Sequence, residues 1–140
     1  MISRPELRWT AFWWACDWAI TFAVVFCSLI PPPELPTVFA IFSDKLMHFA
    51  GYFLMAIWFA GSMNPRRYIW LVVGLCALGA AVEWVQYLMG FGRDADWRDF
   101  VADALGVFLA LALAHAGLGN WMAWVERRFV GVTEHGSSVR

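Results

Sequence analysis

Four long apolar runs occupy most of this sequence of 140 residues. A hydrocarbon core of about 30 Å is crossed by roughly 20 helical residues, and each run has about that length. The prolines at 31–33 end the first run, because proline supplies no amide hydrogen and blocks the preceding turn. We therefore predict an all-α integral membrane protein with a bundle of four transmembrane helices, at about residues 9–30, 44–62, 68–89 and 97–118.

The composition agrees with a bilayer as the solvent of this chain. Hydrophobic residues make up 61% of it and charged residues only 15%, whereas a soluble domain carries about 25% charged residues. The formal net charge of -1 provides no bulk attraction to nucleic acid, which we exclude as a partner. The three cysteines match no CxxC spacing, so we interpret them as small buried hydrophobic residues.

The segment after the fourth run alternates apolar and charged residues. Trp121, Trp124 and Phe129 are interleaved with Glu126 and neighbouring arginines. This pattern is typical of a short helix that lies on the lipid headgroups, and the tail at 131–140 is predicted to be flexible. Because nothing in the pattern indicates a second domain, we treat the whole chain as a single membrane domain.

The ten basic residues divide unevenly between the two sides of the predicted bundle. With both chain ends in the cytoplasm, seven of them lie inside and three outside. The positive-inside rule selects this orientation. The inner set is Arg4, Arg8, Arg66, Arg67, Arg127, Arg128 and Arg140, and the outer set is Lys45, Arg93 and Arg98.

This orientation gathers most of the membrane-embedded polar residues at the outer ends of three helices. Residues that step by three or four positions share one face of a helix, and the polar residues of each helix follow such steps. We predict that they form one polar cluster. Its members are Asp44, Lys45, His48, Tyr52, Glu83, Gln86, Arg93, Asp96, Asp99 and Asp103.

Several of these residues also have simpler explanations. Asp96 followed by Asp99 is typical of an N-cap and a first-turn acid, and Glu83 can pair with Arg93. The outer side carries six acidic and three basic residues, which leaves an excess of negative charge. Either some of the carboxyl groups are protonated, or the site binds a cation, or several carboxylates are solvated by water. Because the sequence carries no metal-binding motif such as HExxH, we predict no metal ion and no cofactor. Asp17, alone in the first helix, is assigned no role.

Three blocks of the sequence together resemble the VanZ-like family of small bacterial membrane proteins. They are DKLMHFAGYFLMA at 44–56, EWVQ at 83–86 and RDADWRDFVADALG at 93–106. Asp103 stands where that family usually has asparagine, whereas the other nine members of the polar cluster match its pattern, as does Gly106. The resemblance implies a location in the bacterial cytoplasmic membrane. The family is named for a protein linked to resistance against the glycopeptide antibiotic teicoplanin, and its molecular activity is undefined.

The polar cluster supports three functional hypotheses, of which we favour the first. In that one it binds an envelope lipid or a cell-wall precursor, and Arg93 and Lys45 contact anionic oxygens of the headgroup. His48, Glu83 and Gln86 then fix its orientation by hydrogen bonds. In the second, the protein is an enzyme in which His48 accepts a proton and Glu83 donates one to a lipid-linked substrate. In the third, the cluster is a structural clamp between helices, and every hypothesis leaves the oligomeric state open.

The predicted orientation can be tested with single cysteines in a chain whose three native cysteines are replaced. Asn64→Cys should react with a membrane-permeant maleimide but not with an impermeant one added outside, because the turn at 64–67 is predicted to face the cytoplasm. Gly92→Cys should react with both reagents. Labelling of position 64 by the impermeant reagent would reverse the predicted topology.

Overall fold

The protein was analysed as a computed structural model that describes residues 7–30, 44–90 and 96–130. The predictions for the prolines at 31–33, for Arg93 and for the tail at 131–140 lie outside the described residues.

The described part of the chain is helical throughout and contains no strand, which confirms the all-α prediction for these residues. Short 3-10 turns precede the third and the fifth helix, at Pro65–Arg67 and Leu118–Asn120. An αL residue, Gly90, ends the third helix, because glycine carries no Cβ to clash at its φ of 66°. The helices are α1 Thr10–Leu29, α2 Asp44–Ser62, α3 Tyr68–Met89, α4 Trp97–His115 and α5 Trp121–Val130.

Two helical segments are long and apolar enough to cross a membrane, namely Thr10–Leu29 and Pro65–Met89. A third candidate is the pair Trp97–His115 and Leu118–Phe129, which meets the same test together but is bent by 80°. The helix α2 is not among them, since its first half carries Asp44, Lys45 and other polar residues. The described residues therefore contain two or three candidate spans, and the architecture of four spans remains a prediction.

The helix α2 lies at the centre of the packing, between α4, α1 and α3. Its Tyr52, Met55 and Ala56 are almost completely buried in the hydrophobic core, together with Val107 and Ala110 of α4. Large apolar side chains on α1 and α3 point the other way and are exposed, as expected for surfaces that face lipid. Examples are Trp18, Phe22, Phe26, Trp70 and Trp84. The three cysteines are predicted from the sequence to be buried, but Cys27 is exposed and Cys16 and Cys76 are only partly buried, because they lie on α1 and α3, whose outer faces are exposed.

The backbones of α2 and α4 come into direct contact at Gly106. A Cβ at this position would lie 2.3 Å from the carbonyl oxygen of Phe49 and 2.9 Å from the amide nitrogen of Phe53. Ala102 and Ala110, one turn to either side, are also buried. Small residues every four positions let two helices approach this closely, so this stripe holds α4 against α2.

The short helix α5 packs one face against the bundle. Met122, Ala123 and Glu126 are buried, whereas Trp124 and Phe129 are exposed. The sequence pattern assigned Glu126 to the polar face of a helix lying on headgroups, and this assignment is wrong. The reason is that the carboxylate has donors to meet inside the protein, at the start of α1.

Glu126 caps the first helix from the far end of the chain. Its Oε2 accepts a hydrogen bond from the amide of Arg8 at 2.7 Å. Its Oε1 accepts from the amide of Trp9 at 2.9 Å and from Nε1 of Trp13 at 2.8 Å. These two amides lie at the N-cap of α1 and just before it, where the helix offers no acceptor, so the carboxylate satisfies groups that α1 itself cannot.

We expect Gly106→Ala and Gly74→Ala to have opposite effects on stability. The methyl group at 106 would meet backbone atoms that cannot rotate away, which should cost at least about 1–3 kcal/mol. At Gly74, on an exposed part of α3, no atom lies within 4 Å of the added Cβ. There alanine should stabilise the helix by up to about 1 kcal/mol. Thermal unfolding in detergent measures both, and equal melting temperatures for the two variants would contradict the backbone contact.

Candidate functional site

The polar cluster lies where the start of α2, the end of α3 and the start of α4 meet. Nζ of Lys45 on α2 lies 2.9 Å from Oδ2 of Asp96 and 2.9 Å from Oδ1 of Asp99. Both acids belong to the start of α4, one as its cap and one in its first turn. The ammonium group therefore links these two helix ends through two ion pairs.

The imidazole of His48 occupies the buried part of the cluster, between acids from two other helices. Its Nδ1 lies 3.0 Å from Oδ1 of Asp103 on α4, and its Nε2 lies 4.0 Å from Oε1 of Glu83 on α3. When Asp103 is ionised, Nδ1–H is the donor of that hydrogen bond. The ring is thus oriented by one carboxylate and faces a second one.

Three buried polar atoms around His48 make no hydrogen bond to any described residue. They are Oε1 of Glu83, Oδ2 of Asp103 and the hydroxyl of Tyr52. Gly79 of α3 lies directly against them, because a Cβ there would lie 2.8 Å from Oδ2 of Asp103 and 3.5 Å from the hydroxyl of Tyr52. A buried polar atom without a partner costs about 1–3 kcal/mol, so this region can accept donors from a bound molecule.

The described part of the cluster is strongly acidic. Of the outer charged residues, the structure describes five carboxylates, the ammonium group of Lys45 and the guanidinium group of Arg98, beside the imidazole of His48, and the ammonium group already carries two ion pairs. The acids are Asp44, Glu83, Asp96, Asp99 and Asp103. The excess of negative charge predicted from the sequence is therefore present in the described structure. The charge of Lys45 is largely compensated by its two ion pairs with Asp96 and Asp99.

One predicted member of the cluster points elsewhere. Nε2 of Gln86 donates a hydrogen bond to the carbonyl oxygen of Ser28 at 2.8 Å, which ties α3 to the end of α1. Gln86 thus contacts α1 rather than His48. Arg93, the expected partner of Glu83, lies outside the described residues. In this structure Oε2 of Glu83 instead accepts from the amide of Asp96 at 3.3 Å.

The predicted capping role of Asp96 is observed. Its Oδ1 accepts from the amide of Arg98 at 3.0 Å, and Asp99 lies in the first turn of α4. The hydrogen bond from the Arg98 amide and the one from the Lys45 ammonium group both favour the ionised form, so the pKa of the Asp96 carboxyl lies below its usual value. This residue therefore combines an N-cap with an ion pair.

Asp17 is assigned no role from the sequence, where Arg8 and Arg67 are its candidate partners, and in the structure it meets Ser62 instead. Asp17 is completely buried, and its Oδ2 accepts from the hydroxyl of Ser62 at 2.9 Å. Ser62 ends α2, at the opposite end from the polar cluster. A carboxylate in an apolar helix needs a nearby hydrogen-bond donor, so the sequence does predict that Asp17 has a partner. It could not identify Ser62, because spacing within α1 says nothing about which helix faces it.

Acidification should remove the contribution of Asp96 to stability. A carboxyl whose pKa is lower in the folded than in the unfolded protein stabilises the fold above the unfolded pKa and loses this effect as the pH falls through the folded pKa. We expect Asp96→Ala to melt at a lower temperature than the wild type at pH 7. The difference should shrink below about pH 4, near the usual pKa of an aspartate. A difference that is constant from pH 7 to pH 3 would contradict this assignment.

Comparison of the chain with protein-family models, with curated proteins and with solved structures finds no match. The resemblance to the VanZ-like family therefore depends on the three sequence blocks described above. Their residues place an imidazole and several carboxylates from three helices at one end of the bundle.

Proposed function

We propose that this chain is a VanZ-like protein of the bacterial cytoplasmic membrane that binds the headgroup of an envelope lipid or of a lipid-linked cell-wall precursor. Both chain ends lie in the cytoplasm, so the polar cluster opens towards the outer leaflet. The distribution of basic residues supports this orientation, and the motif blocks support the family. The glycopeptide resistance for which the family is named is one context in which such binding would matter.

The buried acceptors around His48 carry this proposal. Two carboxylate oxygens and a hydroxyl lack hydrogen-bond partners among the described residues, although each is inaccessible to solvent. Hydroxyl and amine groups of a headgroup can donate to them. Such buried groups cost stability when they are left unpaired, so a ligand that pairs them recovers this cost on binding.

Lys45 gives the same site a means of holding an anionic oxygen. Its ammonium group has three N–H donors, and Asp96 and Asp99 each accept one of them. The third donor has no acceptor among the described residues and is proposed to meet a phosphate or carboxylate oxygen of the headgroup. Arg93, next to the cluster in sequence, is proposed as the second contact with such oxygens.

A structural clamp is the alternative that the contacts favour most directly. Lys45 joins α2 to α4, and the hydrogen bond from the Asp96 amide to Glu83 joins α4 to α3. Acid–base catalysis is the other alternative, supported by an imidazole held between Asp103 and Glu83. The three hypotheses predict different effects of removing one carboxylate on ligand binding, on stability and on catalysis, so experiments can distinguish them.

We expect Glu83→Gln to leave the protein folded but to reduce the retention of lipid ligands. The amide has the same shape, but it replaces one acceptor of the buried site by a donor. Native mass spectrometry of the purified protein with phosphatidylglycerol and with a lipid-linked cell-wall precursor should show at least about tenfold weaker retention, equivalent to about 1.4 kcal/mol. Cells that carry the variant should lose the protein's phenotype under cell-wall stress.

Glu126→Gln is the matched control, since it changes a buried carboxylate at the other end of the bundle. It should lower the melting temperature without changing lipid retention. If Glu83→Gln lowers the melting temperature strongly and keeps normal retention, the clamp is favoured instead. Conversion of the precursor by the wild type, but not by His48→Gln, would favour the enzyme.

A further inference from the structure

We propose that Asp44, His48 and Asp99 form a binding site for a divalent transition-metal ion at the mouth of the polar cluster. One ligand atom from each of these side chains lies within 4.8 Å of the other two. They come from two helices, with one carboxylate and the imidazole from α2 and the second carboxylate from α4. The ligand set is thus assembled by the contact between these helices.

The position of the three side chains suits an ion that enters from solvent and is then held. Asp44 is exposed, whereas His48 and Asp99 are buried. A small inward movement of ligands around a common point would bring them to the bond lengths of about 2.0–2.2 Å found for imidazole and carboxylate ligands.

A second observation, independent of these acids, also indicates a ligand. Glu83 belongs to α3, is 8% exposed and has one oxygen, Oε1, without a hydrogen-bond partner among the described residues. That oxygen lies 4.0 Å from Nε2 of His48. Glu83 therefore directs a buried carboxylate oxygen, unpartnered among the described residues, at the imidazole of the proposed site.

The hydrogen bond of His48 with Asp103 completes the arrangement. A histidine bound to a metal ion usually donates its other ring N–H to a carboxylate, which orients the ring and makes it a better ligand. Oδ1 of Asp103 lies 3.0 Å from Nδ1 of His48. Nε2 is then the nitrogen that remains for the ion.

The chemistry of the donors selects the class of ion. Imidazole suits zinc and other transition metals, carboxylates suit Mn²⁺ as well, and Ca²⁺ prefers six to eight oxygen ligands. One imidazole with two carboxylates therefore favours Zn²⁺ or Mn²⁺ over Ca²⁺. The ion would also offset the excess of negative charge in the described cluster. This proposal differs from the sequence prediction of no metal, which depended on the absence of a linear motif, because the proposed ligands belong to two separate helices.

The metal site does not depend on the proposed binding of a lipid headgroup. It can be tested on the full chain in detergent with metal salts alone. Isothermal titration calorimetry with Zn²⁺ and with Mn²⁺ should show one saturable site per chain, and Ca²⁺ should bind at least about tenfold more weakly.

Asp99→Asn and Asp96→Asn form a matched pair for this test. Both acids lie 2.9 Å from Nζ of Lys45, so each variant loses one ion pair and one charge. Only Asp99 belongs to the proposed ligand set. Asp99→Asn and His48→Gln should weaken Zn²⁺ binding by at least about tenfold, as is common when a supporting group of a metal site is lost. Asp96→Asn should bind within about threefold of the wild type.

Asp44→Asn keeps the test decisive if the variants at buried positions fail to fold, because Asp44 is exposed. It should weaken binding in the same way, whereas His115→Gln, at the opposite end of α4, should not. The proposal is overturned if the folded wild type shows no saturable site. It is also overturned if Asp99→Asn and Asp96→Asn bind equally well, or if Ca²⁺ binds as tightly as Zn²⁺.

Discussion

The contact of two helix backbones at Gly106 determines how the polar end of this protein is arranged. Because no side chain separates α4 from Phe49 of α2 at this point, the close approach of the two helices favours the register that places Gly106 there. One turn closer to the polar end, Asp103 then faces His48, and one turn further Asp99 faces Lys45. A slip of one residue would rotate these acids away from their partners, so the packing and the polar contacts depend on the same small residue.

The polar and the apolar parts of the bundle therefore support each other. Apolar packing between helices provides little driving force in lipid, since the lipid tails are as apolar as the core. Hydrogen bonds between helices are also modest in strength, but they are directional and so select a partner. Here each helix of the cluster contributes groups that only another helix can satisfy, as His48, Asp103 and Glu83 illustrate. Packing sets the distance, and the polar contacts set which faces meet.

Much of this architecture can be predicted from the sequence, and the remaining features cannot, for reasons that can be identified. The helix bounds could be predicted because prolines, glycines and capping residues leave local signals, as Asp96 does. The gathering of His48, Glu83 and Asp99 could be predicted because steps of three and four define a face. The partners of Gln86 and Glu126 could not be predicted. The spacing of residues defines a helix face, but it does not say which helix packs against that face when both the lipid and the core are apolar. Each of these two residues reaches α1, which no local pattern connects to it.

The capping of α1 by Glu126 also has a consequence for the order in which the protein is assembled. The amides of Arg8 and Trp9 receive their acceptor from a residue that is 118 and 117 positions later in the chain. During synthesis α1 is therefore made long before this carboxylate exists, and those amides need another hydrogen-bond partner in the meantime. Docking of α5 then replaces that partner, so the contact that holds the start of α1 forms only after the other described helices have been made.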